Sequence, residues 1–217
     1  MKVAILGAGQ VGVTLGNGWR RAGHAITYGV REPGGQRAAE LASGGARVMG
    51  HRDAVEASEV VVLATPWAAV EGLLASLGDL GGRPLLDATN PIGAGLALLV
   101  GHDDSGGERV QRWAPTARVV KVFNSTGLEN MAEPRIGSLA ATMPYCGDDA
   151  GACEVARRLA TDLGFDAVPA GPLSSARLLE PLAALWIRLA LVQGMGRGIA
   201  FALLRRDAQG GAARGVP

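Results

Sequence analysis

Six residues near the amino terminus, Gly7-Ala8-Gly9-Gln10-Val11-Gly12, have the spacing of a loop that cradles a pyrophosphate. Gly7 suits a tight turn and Gly9 leaves the backbone bare where a phosphate must approach. Gly12 lets the following helix lie close against the preceding strand. Free amides at that helix start, and the positive end of its dipole, would face the phosphates. Arg31 stands 19 residues after Gly12, where an Asp or Glu would bond the ribose 2′-hydroxyl of NAD. A guanidinium there suits a 2′-phosphate, so the expected dinucleotide is NADP. Arg37 is a second candidate cation, and Glu32, beside Arg31, tempers the preference.

Small and amide-bearing residues recur after other apolar runs: Ala64-Thr65-Pro66-Trp67, Asp87-Ala88-Thr89-Asn90-Pro91 and Phe123-Asn124-Ser125-Thr126-Gly127. Asn90 and Asn124 can bond a nicotinamide ribose or carboxamide, or serve only as turn residues. Trp67 covers an adenine or ribose, or caps the core. No Ser-His-Asp, Cys-His or paired-carboxylate constellation stands out, so no catalytic acid, base or nucleophile is assigned. Arg177 and Glu180 read as a local helix ion pair. His24, His51 and His102 are scattered and read as ordinary histidines. Cys146 and Cys153 lack metal-ligand spacing, no metal is expected, and Cys146 reads as buried filler.

A site of this kind needs strands that all end at one edge, and the chain offers them. Apolar runs at 3–6, 25–30, 46–49, 60–64, 85–88 and 119–123 read as strands. Helical patterns at 10–22, 35–43, 52–57 and 66–77 separate them. Strand–helix alternation continues through 141–146, 149–163 and 165–168. The expected class is α/β: a Rossmann-type, doubly wound, mostly parallel sheet with helices on both faces. Residues 1–171 form the dinucleotide-binding domain, 172–205 a small C-terminal helical part, and 206–217 a flexible tail. In the helical part Leu178, Leu182, Leu185, Leu189 and Val192 share one face, expected to be core. Pro181 should kink or restart the helix, and 199–204 should form a last turn.

The chain has 217 residues, of which 48% are hydrophobic and 19% charged, a globular balance and not a disordered one. A formal charge of +1 gives no field for nucleic acid. The apolar stretch 182–204 is interrupted by Arg188 and Arg197, which argues against a membrane span. A strand at the start leaves no room for a signal peptide. A soluble, cytoplasmic protein is expected.

Together these segments resemble the NADPH-dependent reductases of the deazaflavin coenzyme F420, and the reductase domain of the STEAP metalloreductases. The telling stretches are Val119-Val120-Lys121-Val122-Phe123-Asn124-Ser125-Thr126, Pro144-Tyr145-Cys146-Gly147-Asp148-Asp149, Ala170-Gly171-Pro172-Leu173-Ser174-Ser175-Ala176-Arg177-Leu178-Leu179-Glu180-Pro181-Leu182, and Gly194-Met195-Gly196. The resemblance implies an NADPH site built from Gly7, Gly9, Gln10, Val11, Gly12, Arg31, Arg37, Ala64, Thr65, Pro66, Trp67, Asn90, Pro91 and Asn124. It implies an acceptor site near Ser125, Thr126, Gly171, Pro172, Leu173 and Met195, completed by 172–205, with Arg188 or Arg197 available to the acceptor's acidic tail. Hydride would pass between two bound rings, which asks the protein for orientation more than side-chain chemistry. FMN or FAD in the acceptor place, giving a flavin or ferric reductase, is the alternative. A reductase of a small imine or carbonyl would need a proton donor that the sequence does not offer. A non-catalytic NADPH sensor is the alternative of another class. A homodimer is expected.

Overall fold

The computed structural model describes residues 1–206 of the chain. The expected tail therefore lies, past Arg206, outside the described residues. The all-apolar runs become the strands at the centre of the sheet, where both faces are covered and no alternation is needed. These are β1 (Lys2–Leu6), β4 (Val60–Leu63) and β5 (Pro84–Asp87). Around them lie β2 (Ala25–Val30), β3 (Arg47–Gly50) and β6 (Arg118–Lys121). Beyond β6 come β9 (Thr142–Gly147) and β10 (Asp166–Pro169), and the order across the sheet is β10-β9-β6-β5-β4-β1-β2-β3. A separate hairpin joins β7 (Arg135–Ile136) to β8 (Leu139–Ala140). From β3 to β6 all pairings are parallel, and β9 reverses direction against β6. The 3-2-1-4-5-6 core is the doubly wound dinucleotide-binding order, so ligands belong beyond the carboxyl ends of these strands.

Helix α1 (Gln10–Arg21) buries Leu15, Gly16 and Trp19. Trp19 Nε1 donates to the Leu159 carbonyl at 2.9 Å, and its ring meets Phe123 edge-on at 5.3 Å. The remaining connections are α2 (Gln36–Ser43), α3 (His51–Glu56), α4 (Trp67–Leu77), α5 (Gly106–Trp113), α6 (Leu128–Ala132), α7 (Ala150–Leu163) and α8 (Ala176–Ile187). No helix among the described residues is long and apolar enough to cross a membrane.

Several expectations are corrected. Helix α8 runs unbroken through Pro181. That proline, the sixth of the helix's twelve residues, removes a single helical hydrogen bond, and tertiary packing outweighs the loss. The leucine stripe is not core: Leu178 is 72% exposed and Leu185 47%. The buried face of α8 carries Ala176, Leu179, Glu180, Ala183 and Trp186 instead. Residues 199–204 form no helical turn. Their backbone is tied down instead, with Ile199 O accepting from Trp186 Nε1 (2.7 Å) and Asn130 Nδ2 (2.6 Å), and Phe201 O from Thr142 N (2.9 Å).

Candidate functional site

The loop between β1 and α1 can be built only from glycine at two places. Gly7 has φ +120°, and a Cβ there would lie 2.5 Å from the Ala64 carbonyl oxygen. A Cβ on Gly12 would lie 2.1 Å from the Gly7 carbonyl oxygen. Around Gly9 nothing lies within 4 Å of a built Cβ, and no side chain caps α1. The first amides of α1 are thus left for a ligand. Gly9→Ala should leave Tm unchanged while weakening NADPH binding about tenfold, because its methyl enters space an incoming phosphate needs. Fluorescence titration beside a thermal melt checks both.

Gly7, Gly9, Arg31, Arg37, Ala64, Thr65 and Pro66 line one cleft of about 420 Å³. The two arginines differ in commitment. Arg37 Nε donates to the Ala8 carbonyl at 3.0 Å and its Nη1 meets Glu40 at 3.0 Å, so it braces the glycine loop. Arg31 is exposed and makes no ion pair among the described residues. Thr65 Oγ1 is buried without a hydrogen-bond partner. A bare glycine loop, an uncommitted guanidinium and an orphaned hydroxyl in one cleft fit a dinucleotide 2′-phosphate at one end and a pyrophosphate at the middle.

Asn90 and Asn124 meet at the exits of β5 and β6. Asn90 Nδ2 donates to the Asn124 carbonyl at 2.8 Å, and Asn124 Nδ2 donates to Asn90 Oδ1 and to Leu179 O, each at 3.1 Å. Asn124 Oδ1 is buried and unpartnered. The preceding residue, Phe123, is fully buried with φ +62°, a strained conformation for an aromatic residue. Beneath the pair lies a fully buried ion triad. Lys121 Nζ is 2.9 Å from both Asp87 Oδ2 and Glu180 Oε1, and donates to Thr89 O at 2.6 Å. Asp87 Oδ1 accepts from Thr89 N and Oγ1, and Glu180 accepts from Gly106 N and Gly107 N at the start of α5. Burial alone would push the Lys121 ammonium down, but the two carboxylates outweigh it and hold it above the ordinary lysine value. Thus Glu180 is not the helix partner of Arg177, whose guanidinium grips Glu108 instead (Nε–Oε2, 2.8 Å).

Other expected residues lie outside this cleft lining. Gln10 is exposed and Val11 half-buried on the first turn of α1. Trp67 caps core beside Trp113, ring centroids 5.4 Å apart. Pro91 is buried, its carbonyl held by Leu99 N at 2.7 Å. Ser125 is buried against Met143, and Thr126 Oγ1 accepts from Asn130 Nδ2. Leu173 is 3% exposed and packs within the α4–α5 core. Gly171 and Pro172 are exposed on the same turn, where Gly171 O accepts from Gly147 N. Met195 is 61% exposed after the last helical turn. Arg197 pairs with Glu129 at 3.0 Å. Cys146 is buried, its thiol pushed up to about 12 by burial, and is inert filler. Sequence reasoning missed His51, which lines the cleft, and the triad. Lys121 inside an apolar strand was the signal for the latter.

Residues 2–91 match the family described as NADP oxidoreductase, coenzyme F420-dependent. A protein of Arthrobacter sp. FB24, provisionally named an F420-dependent NADP reductase, has a crystal structure that superposes with TM-score 0.82 at 31% identity, covering 94% of this chain and 100% of that one. Metalloreductase STEAP3 of Rattus norvegicus is 30% identical over 182 residues, covering 83% of this chain but only 36% of the rat protein's length. A reductive aminase from Aspergillus terreus, solved with NADPH and ethyl-5-oxohexanoate, shares the fold with TM-score 0.67 at 23% identity, over 89% of this chain and 63% of that one.

Proposed function

Because the chain belongs to the family of coenzyme F420-dependent NADP oxidoreductases, we propose that it passes hydride between NADPH and the deazaflavin F420. NADPH supplies the hydride from its nicotinamide when bound. The Gly7–Gly12 loop binds the pyrophosphate, Arg31 takes the 2′-phosphate, and Asn90 with Asn124 orients the nicotinamide end. Ser125, Thr126 and the 172–205 part, with Met195, border the acceptor. The state of the titratable groups at the β5 and β6 exits carries this reading. Asp87, Lys121 and Glu180 spend their hydrogen bonds on one another and on backbone. None is left to protonate an imine or carbonyl, whereas ring-to-ring transfer needs only two carbons held about 3–3.5 Å apart. Oxidation of NADPH, followed at the reduced nicotinamide absorbance with F420, FMN and FAD in parallel, tests it. Turnover with F420 alone is expected. Turnover with FMN or FAD alone would instead make a flavin or ferric reductase of it, the reading that the similarity to STEAP3 favours.

The expected homodimer belongs to the same proposal. Leu178, Leu185, Val192 and Met195 are exposed on and after α8, and exposed apolar side chains that gather in one patch mark protein–protein contacts. A second copy of the chain would cover it. Leu178→Asp with Leu185→Asp should convert a dimeric mass to a monomeric one in analytical ultracentrifugation. A monomeric wild-type mass at micromolar concentration defeats the dimer.

A further inference from the structure

His51 opens α3 immediately beyond the carboxyl end of β3, half-buried, and makes no hydrogen bond among the described residues. It lines the dinucleotide cleft and also a neighbouring hollow of about 400 Å³, and the two share Arg31, His51 and Thr65. A Cβ on Gly29, in β2, would come within 3.3 Å of His51 Cδ2, so glycine there keeps the ring's place open. An imidazole and an uncommitted guanidinium thus border the same space at the end of β2, where a dinucleotide's adenine ribose belongs. We infer that His51 is a second specificity-determining residue for the cofactor's 2′-phosphate, acting beside Arg31 by taking up a proton when that phosphate binds. This rests on the NADP reading.

The charges around His51 set the direction. The chain after β2 presents Arg31 and Glu32, and α2 presents Arg37 across the cleft. Its own helix carries Arg52, Asp53 and, a turn further on, Glu56; Arg52 spends a donor on Ser76 O at 3.0 Å. The facing side of α4 offers only Ala69, Gly72, Leu73 and Ser76, and β3 leads in through Met49 and Gly50, none of them charged. In the free protein burial, and then Arg31, hold the imidazole below its usual pKa, so it is neutral near pH 7. A phosphate dianion reverses that balance and raises the bound-state value. The added affinity is therefore complete below the free-state pKa and is lost as pH rises through the bound-state pKa.

Calorimetric titration of the intact protein with NADP+ and NAD+, in two buffers of different ionisation enthalpy, reads net proton exchange directly, and the His51→Gln variant assigns it. Uptake of a fraction of a proton is expected at pH 7 for NADP+ and none for NAD+. His51→Gln should remove that uptake, weaken NADP+ about five- to tenfold at pH 6 and less than about twofold at pH 8.5. It should leave NAD+ unchanged. The phosphate's own titration near about pH 6 is common to both proteins and cancels in the comparison. Equal proton exchange in wild type and His51→Gln overturns the role of His51 and leaves NADP selectivity standing. Equal affinity for NADP+ and NAD+ at every pH overturns both.

Discussion

Lys121→Met is expected to destabilise the protein by about 3–5 kcal/mol, the usual result of stripping one partner from a buried ion cluster. At this chain length that lowers Tm by about 6–20 °C. The substitution leaves Asp87 and Glu180, both buried, facing each other without a cation between them. It also strips the Thr89 carbonyl of its 2.6 Å donor. Glu180→Gln should do less harm, because a side-chain amide still offers one acceptor to the Gly106 and Gly107 amides. The wild-type Lys121 has its folded pKa raised, so its stabilisation is complete below about pH 10.4 and lost only as pH climbs through the folded value. The Tm gap between wild type and Lys121→Met should therefore stay constant from pH 7 to about pH 10. Differential scanning calorimetry across that range decides it. A gap that closes below about pH 9, or a loss under about 1 kcal/mol, would show that the triad is not what joins α8 to the sheet.

That triad also bears on the site. Glu180 joins α8 to the start of α5, and Leu179, its neighbour, gives its carbonyl to Asn124. Lys121 grips the carbonyl of Thr89, next to Asn90. The Asn90–Asn124 pair is thus fixed from both sides by groups that do not themselves reach the cleft lining. Lys121→Met should accordingly loosen cofactor geometry as well as stability, because a buried network fixes conformation as a unit.

The N-terminal half was legible because each local rule there agrees with the fold. Apolar runs with glycine at their ends marked the strands and the glycine loop, and Arg31 and Thr65 line the cleft beside it. Beyond residue 90 local rules and tertiary demands part company. Helix α5 hides behind Gly106-Gly107, poor helix formers, yet Ser105 caps it by accepting from Glu108 N while donating to Glu108 Oε2. That Ser-x-x-Glu spacing was the overlooked sign. The face of α8 was misread because five aliphatic positions outweighed one carboxylate in the sequence pattern. In the fold Glu180, bonded to a buried lysine and two backbone amides, determines which side turns inward. Leu173 was placed at an acceptor on resemblance; periodicity gave no sign that its side chain packs among those of α4 and α5. Periodicity cannot reveal a partner tens of residues away, and the misread face of α8 and the missed triad both arose there.

Arg31→Glu should invert the dinucleotide preference. Arg31 is exposed and makes no side-chain bond among the described residues, so its replacement should leave stability within about 0.5 kcal/mol of the wild type. A guanidinium–phosphate pair contributes about 1.5–3 kcal/mol through charge-assisted hydrogen bonds. Its loss, with a carboxylate now repelling the phosphate, should weaken NADP+ about 100-fold. The same carboxylate can accept from a free ribose 2′-hydroxyl, so NAD+ should bind more tightly than before. Arg37→Ala supplies the contrast. Arg37 braces the Ala8 carbonyl of the glycine loop, which both dinucleotides share, so its loss should weaken NADP+ and NAD+ alike. The ratio of the two dissociation constants separates these roles: it moves about 100-fold or more for Arg31→Glu and stays nearly constant for Arg37→Ala. Equal losses of both dinucleotides on Arg31→Glu would mean that the guanidinium does not meet the 2′-phosphate. Specificity would then have to reside in the other cations of the cleft, Arg37 or a protonated His51.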